Sequence, residues 1–151
     1  MSDRTFNLNV VSPDRNLVKD LPVVAVGAPG SEGAFTALPG HVPFLTDLQP
    51  ALMWYRTPDL TVRQILVTGG FVEVLPDRVT VLADSAEYEG EIDLERAERA
   101  AQRRLTRVKV LKEMVDRGEI SITEGEVEIK KVEIKLHRSL ARIKAARKTN
   151  R

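Results

Sequence analysis

The sequence predicts an α+β chain: an N-terminal antiparallel β-sandwich or barrel followed by a C-terminal antiparallel α-helical hairpin. Three observations lead there. Short apolar/polar alternations, separated by turn-forming clusters, fill residues 1–88. From residue 92 the apolar positions instead recur in steps of three and four, the spacing of one face of a helix. Composition divides at the same place, because every Phe, Tyr, Trp and Pro lies at or before Tyr88.

The strands come first. "FNLNVV" sets Phe6, Leu8 and Val10 against polar neighbours, "LTVRQILVT" and "FVEVL" alternate likewise, and "VTVLAD" is a short apolar run. Turn signals stand at "SPDRN", "APGSEG", "LPGH", "TPD", "TGG" and "LPDR". Such regular spacing suits a sandwich or barrel, and nearly ninety residues can enclose a modest core without staples. Gly69 and Gly70 are expected to serve tight strand geometry.

Residues 89–151 are read as the second module. One stripe runs Leu94, Ala97, Ala101, Leu105, Val108, Leu111, Val115, and a second Ile129, Val132, Leu136, Leu140, Ile143. Asp93 is a good N-cap and Gly118 stands where a left-handed glycine ends a helix. Narrow stripes with a short connection should pair antiparallel, and Ala97, Ala100 and Ala101 let the axes approach closely. The connection "EISITEGEVEIKK" supports two readings. Its period-two alternation around Glu124-Gly125 favours an extended or hairpin tip, whereas Thr123 and Glu126 have capping-box spacing for a helix starting there. The hairpin tip is the preferred expectation.

Charge divides as well. Residues 91–151 hold 17 Lys+Arg against 11 Asp+Glu, a net +6, which leaves the first 90 residues at a net −5. The absence of cysteine removes disulfides, thiolate catalysis and the usual structural zinc sites. His41 and His137, far apart in sequence, do not suggest a histidine metal cluster, and no metal site is expected. Apolar runs are too short to predict a transmembrane helix or a signal peptide. No nucleophile–base pair stands out, so no catalytic residue is assigned. Arg96, Arg103 and Arg107 share one helical face, and Arg138 and Arg142 sit four apart on the second helix. They form either a solvated basic face or a fork for phosphate or carboxylate. Basic helices also admit a nucleic-acid-binding or adaptor module, but these carry no aromatics for stacking and have acids interspersed.

Three separated stretches carry a family resemblance: "GSEGAFTALPGHVPFLTDLQPA", "VTGGFVEVLPDRVTVLADSAE" and "IDLERA". In wording, order and spacing they resemble the epsilon subunit of F-type, proton-translocating ATP synthases over nearly the whole chain. The resemblance implies a central-stalk rotor subunit that couples gamma to the c-ring and inhibits ATP hydrolysis through its C-terminal helices. Its partners would be gamma, the c-ring and the alpha/beta catalytic head, with no nucleic acid. It would lie at the cytoplasmic face of the bacterial inner membrane, held peripherally by the complex. It would have no active site and require no cofactor, with ATP as a regulatory ligand.

The resemblance also implies roles for particular residues. Contacts to gamma and the c-ring would fall on Ser12, on Gly30, Ser31, Glu32 and Gly33, and on the loop holding His41. There Pro39, Gly40 and Pro43 shape a turn in which His41 is not catalytic. The motif that some bacterial relatives use for ATP corresponds to Ile92, Asp93, Arg96 and Ala97, together with Glu87, Arg103, Arg138 and Arg142. The carboxylates would meet the adenine amino group or ribose, and the arginines the phosphates. Against shorter relatives, roughly a dozen extra residues near 119–130 bear on the register of Arg138 and Arg142.

Overall fold

A computed structural model describes residues 4–149. The chain forms two compact units, with the boundary between Ile92 and Asp93.

The first unit is built from eight strands: β1 Phe6–Val11, β2 Asn16–Val23, β3 Ala25–Gly30, β4 Gly33–Ala37, β5 Phe44–Arg56, β6 Val62–Leu75, β7 Arg78–Ala83 and β8 Ala86–Tyr88. Their order is β2-β1-β7-β6-β5-β3-β4, with β8 added on β6. All the pairings are antiparallel except one. β1 and β7 run parallel, with Leu8 opposite Val79 and Val10 opposite Val81. That pairing is non-local, and period-two alternation is blind to strand direction.

Alternation puts Leu8, Val10, Val72, Val74, Val79 and Val81 in one solvent-free core with Met53, Ile65 and Val67. The "TGG" cluster does not separate two strands. β6 passes straight through it, pairing with β8 at Ile65–Val67 and with β7 at Gly70–Leu75. Gly69 and Gly70 adopt φ of 112° and 117°, so the strand changes partners at a glycine corner. A Cβ on Gly70 would lie 2.0 Å from the Leu82 carbonyl oxygen.

Tyr55, buried in the core, shares a hydroxyl–hydroxyl hydrogen bond of 3.2 Å with Tyr88. Burial first, and that bond second, push its phenol up to about 12. The unfolded phenol ionises near 10. Above that pH the folded state binds the extra proton, and stability should fall as pH rises from about 10 to 12. Urea unfolding across this range, set against Tyr55→Phe, checks it: the variant should lose most of the slope.

The second unit is a pair of helices, α1 Leu94–Asp116 and α2 Ile122–Thr149. Asp93 caps α1 as expected, its side chain accepting from the Arg96 N–H at 3.0 Å. At the other end Gly118, with φ of 73°, donates to the Val115 carbonyl while Glu119 donates to Met114, closing a Schellman motif.

The hairpin tip expected at 119–130 is not formed, and its capping box is displaced by two residues. The Glu124 N–H donates to Ser121 Oγ at 3.1 Å and the Ser121 N–H donates to the Glu124 carboxylate at 3.1 Å, so α2 starts immediately after Ser121. An isolated two-stranded tip would have no third strand or core to lie on, whereas the helix pairs its backbone internally and continues the seam with α1. Gly125 shows the gain: a Cβ there would lie 2.2 Å from a Val115 methyl, so the missing side chain lets the helices meet closely.

Two expected seam positions also differ. Leu105 and Leu140 are about half exposed, while Ser139 is 1% exposed and Arg104 is half-buried. The seam follows a strict alternation of three and four: Ala97, Ala101, Arg104, Val108, Leu111, Val115 on α1, and Ile129, Val132, Leu136, Ser139, Ile143, Ala146 on α2. This is coiled-coil spacing, and it places a polar pair where a hydrophobic reading steps one residue aside.

Candidate functional site

Arginines dominate the helical unit. Packing α1 antiparallel to α2 brings Arg104 into the neighbourhood of Arg138 and Arg142. Arg104 reaches across the seam, donating from Nη1 to the Lys135 carbonyl at 2.8 Å and to Ser139 Oγ. Its pKa is lowered, chiefly by burial and then by the positive charges of Arg142, Arg103 and Arg138. Arg138 lies between the two α2 residues that Arg104 holds, and Arg142 one turn beyond. Basic residues of both helices thus lie close to Arg104.

The other predicted nucleotide residues are distributed along the chain. Arg96 is exposed in the first turn of α1, about 10 Å along the axis from Arg103 at 1.5 Å per residue. Ala97 is buried in the seam, so its contribution is close helix approach. One Asp93 oxygen caps the helix. Glu87 is on β8 opposite Leu66, and Ile92 follows the 3₁₀ turn Glu89–Glu91, both in the first unit. That turn is anchored locally. Glu91 accepts from Arg15 at 2.5 Å and from the Tyr88 N–H at 3.3 Å, and its pKa is lowered mainly by the Arg15 bond.

The sandwich residues fall into two kinds. Ser31 and Glu32 are exposed in the β3–β4 turn, between Gly30 and Gly33, which pair across it. The Ser31 N–H donates to the Asp47 carbonyl at 2.9 Å, and the turn is held against β5. Ser12 is buried, and its hydroxyl serves the β1–β2 turn by bonding to the Arg15 backbone. His41 is part of a turn, its N–H donating to Leu38 O at 3.0 Å and its Nδ1 lying 2.6 Å from Val42 O. Around that turn Leu38, Val42, Phe44 and Leu45 are exposed, as are Phe71 and Leu82 on the facing strands. Among the described residues no group of three or more His, Cys, Asp or Glu is placed to hold a metal, and no helix is long and apolar enough to cross a membrane.

Residues 5–89 match the family model for the ATP synthase delta/epsilon chain β-sandwich domain. The chain is 43% identical over 114 residues to the ATP synthase epsilon chain of Nitratidesulfovibrio vulgaris (strain DP4), covering 76% of this chain and 84% of that one. It belongs to the ATP synthase epsilon chain family. The epsilon chain of Syntrophobacter fumaroxidans is 43% identical over 107 residues, covering 69% and 78% of the two chains. The fold is shared with a chain in the cryo-EM structure of the Euglena gracilis mitochondrial ATP synthase OSCP/F1/c-ring. There the TM-score is 0.71 at 21% identity, over 91% of this chain and 78% of that one. The family and fold read from the three sequence stretches are therefore correct, and this epsilon-family chain is a subunit of an ATP synthase.

Sequence reasoning missed Arg104 and Ser139. Reading the seam as a strict heptad, with polar residues counted in their places, would have found both.

Proposed function

We propose that the protein is a non-catalytic rotor subunit of the central stalk, coupling gamma to the c-ring during proton-driven ATP synthesis and restraining ATP hydrolysis through its helical unit. Membership of the epsilon family, together with a sandwich that exposes an apolar surface beside the His41 turn, carries this reading. That surface suits gamma, while the Glu32 turn suits the polar loops of the c-ring. The complex would hold the chain peripherally at the cytoplasmic face of a bacterial inner membrane. A basic helical unit complements acidic loops of the alpha/beta head. The acids among the basic side chains, such as Glu98 paired with Arg147 at 3.1 Å and Glu95 with Arg99 at 3.7 Å, speak against a nucleic-acid groove.

Regulatory ATP would bind on the helical unit, with Arg103, Arg138 and Arg142 around the phosphates and Asp93 toward the base or ribose. A ligand bridging both helices stabilises their paired form by mass action and so opposes the inhibitory state. Hydrogen bonds to charged groups contribute about 1.5–3 kcal/mol each, so losing two guanidinium groups should weaken binding by at least about 100-fold. Isothermal calorimetry of the full chain with ATP, with and without the pair Arg138→Ala and Arg142→Ala, measures this. ATP binding unchanged by the pair would remove this site.

A further inference from the structure

We propose that Arg104 is a positioning residue: by gripping the α2 turn Lys135–Ser139 it sets the register of the helix pair and places Arg138 and Arg142 opposite Arg103. The role in register stands on geometry alone, and the consequence for ligand binding rests on the nucleotide reading above.

Toward the start of α1 and the end of α2 the seam beside this contact includes small side chains. Ala97 and Ala101 on α1, and Ala145 and Ala146 on α2, are buried. Such surfaces pack closely but are nearly equivalent under a slide of one turn, so they specify alignment weakly. A buried polar contact is different. Arg104 spans the seam so that its Nη1 reaches both the Lys135 carbonyl (2.8 Å) and the hydroxyl of Ser139, itself 1% exposed. Any slide breaks both bonds and leaves the buried Ser139 hydroxyl and the half-buried guanidinium without them. The held turn contains Arg138 and adjoins Arg142, and Arg103 is the chain neighbour of Arg104. Register and the geometry of the basic fork are thus one variable.

The contact also answers to the length of the tip. Gly125 against Val115 and Arg147 against Glu98 align the ends of the pair. Arg104–Ser139 lies between them, and is the one of the three that holds the turn carrying Arg138.

The test uses Arg104→Leu and Ser139→Ala in the full chain. Leucine suits a coiled-coil seam and alanine is a better helix former than serine, so neither change should lower the melting temperature of the helical unit. The chain has no cysteine, so Lys109→Cys and Glu133→Cys supply clean sites for spin labels on the two exposed helix faces. Without nucleotide, the parent should give one narrow inter-label distance, and both variants a distribution broadened or displaced by about 5 Å, one helical turn. If the aligned register falls to about a tenth of the population, apparent ATP affinity falls about tenfold in calorimetry. Arg104→Lys, which keeps the charge on a shorter side chain, should recover only part of either readout. Unchanged distances in both variants overturn the register role. Displaced distances with undiminished ATP affinity overturn the link to the site. A parent chain that shows no ATP binding overturns the nucleotide reading by itself, and the distances still decide the role of Arg104.

Discussion

An ATP synthase complex carrying this subunit cut after Ile92 should assemble normally and hydrolyse ATP at least about fivefold faster, the lower end of usual coupling between sites. The reason begins in the core. All the residues of the principal buried cluster, from Phe6 to Ala86, belong to the first unit, so removing α1 and α2 takes nothing from it. The shortened chain should therefore melt cooperatively and keep its exposed apolar surface. What is lost is the basic half of the molecule, which alone carries charge complementary to an acidic partner. Steady-state ATPase assays on membranes with full-length and shortened subunits provide the measurement. Equal rates would remove the restraining role while leaving the rotor role intact, and loss of assembly would mean that the helices also hold the complex together.

Gly70→Val should be the most damaging single substitution in the sandwich. The new Cβ would lie 2.0 Å from Leu82 O and 2.8 Å from the Ala83 Cα, both backbone atoms of the neighbouring strand that cannot swing aside. The residue would also hold φ near 117°, strongly disfavoured for a β-branched side chain. Overpacking costs about 1–3 kcal/mol and backbone strain a similar amount, about 2–6 kcal/mol together. For a domain of this size that lowers the melting temperature by roughly 10 °C or more. Gly33 provides the control, because it too has positive φ, 132°, but nothing lies within 4 Å of its Cβ position. Gly33→Ala should cost only the backbone strain, about 1–3 kcal/mol, without the overpacking. Differential scanning calorimetry of both variants decides the matter: equal losses would mean that conformational strain alone, and not the crowded strand crossing, governs the corner.

Most strands, both helix caps of α1 and the identity of the family were legible in the chain itself. Alternation at Phe6, Leu8 and Val10 fixes which face of β1 is buried, and Asp93 and Gly118 act within a few residues of themselves. The basic fork was half legible. Spacing showed that Arg138 and Arg142 share a face, but a spacing rule within one helix cannot say what the other helix brings to it. Arg104 was overlooked for the same reason, since an arginine in a hydrophobic stripe is skipped unless its partner across the seam is known.

The tip shows the limit of local pattern most clearly. Residues 119–130 alternate as a hairpin would, and two serine or threonine residues stand three before a glutamate. Which of these competing signals prevails depends on what lies opposite, and here Val115 lies opposite Gly125.

Sequence by itself determined the strand-rich and helical halves, their opposite charge, the glycines at points of tight backbone and the family to which the chain belongs. Only the tertiary structure decided the parallel pairing of β1 with β7, the passage of β6 through Gly69–Gly70 and the Ser121 start of α2, together with the exchange of Leu105 and Leu140 for Arg104 and Ser139 in the seam. The division has one physical cause. Periodicity, capping and turn chemistry act between residues close in the chain, whereas register and partner choice depend on packing between residues that only folding brings together.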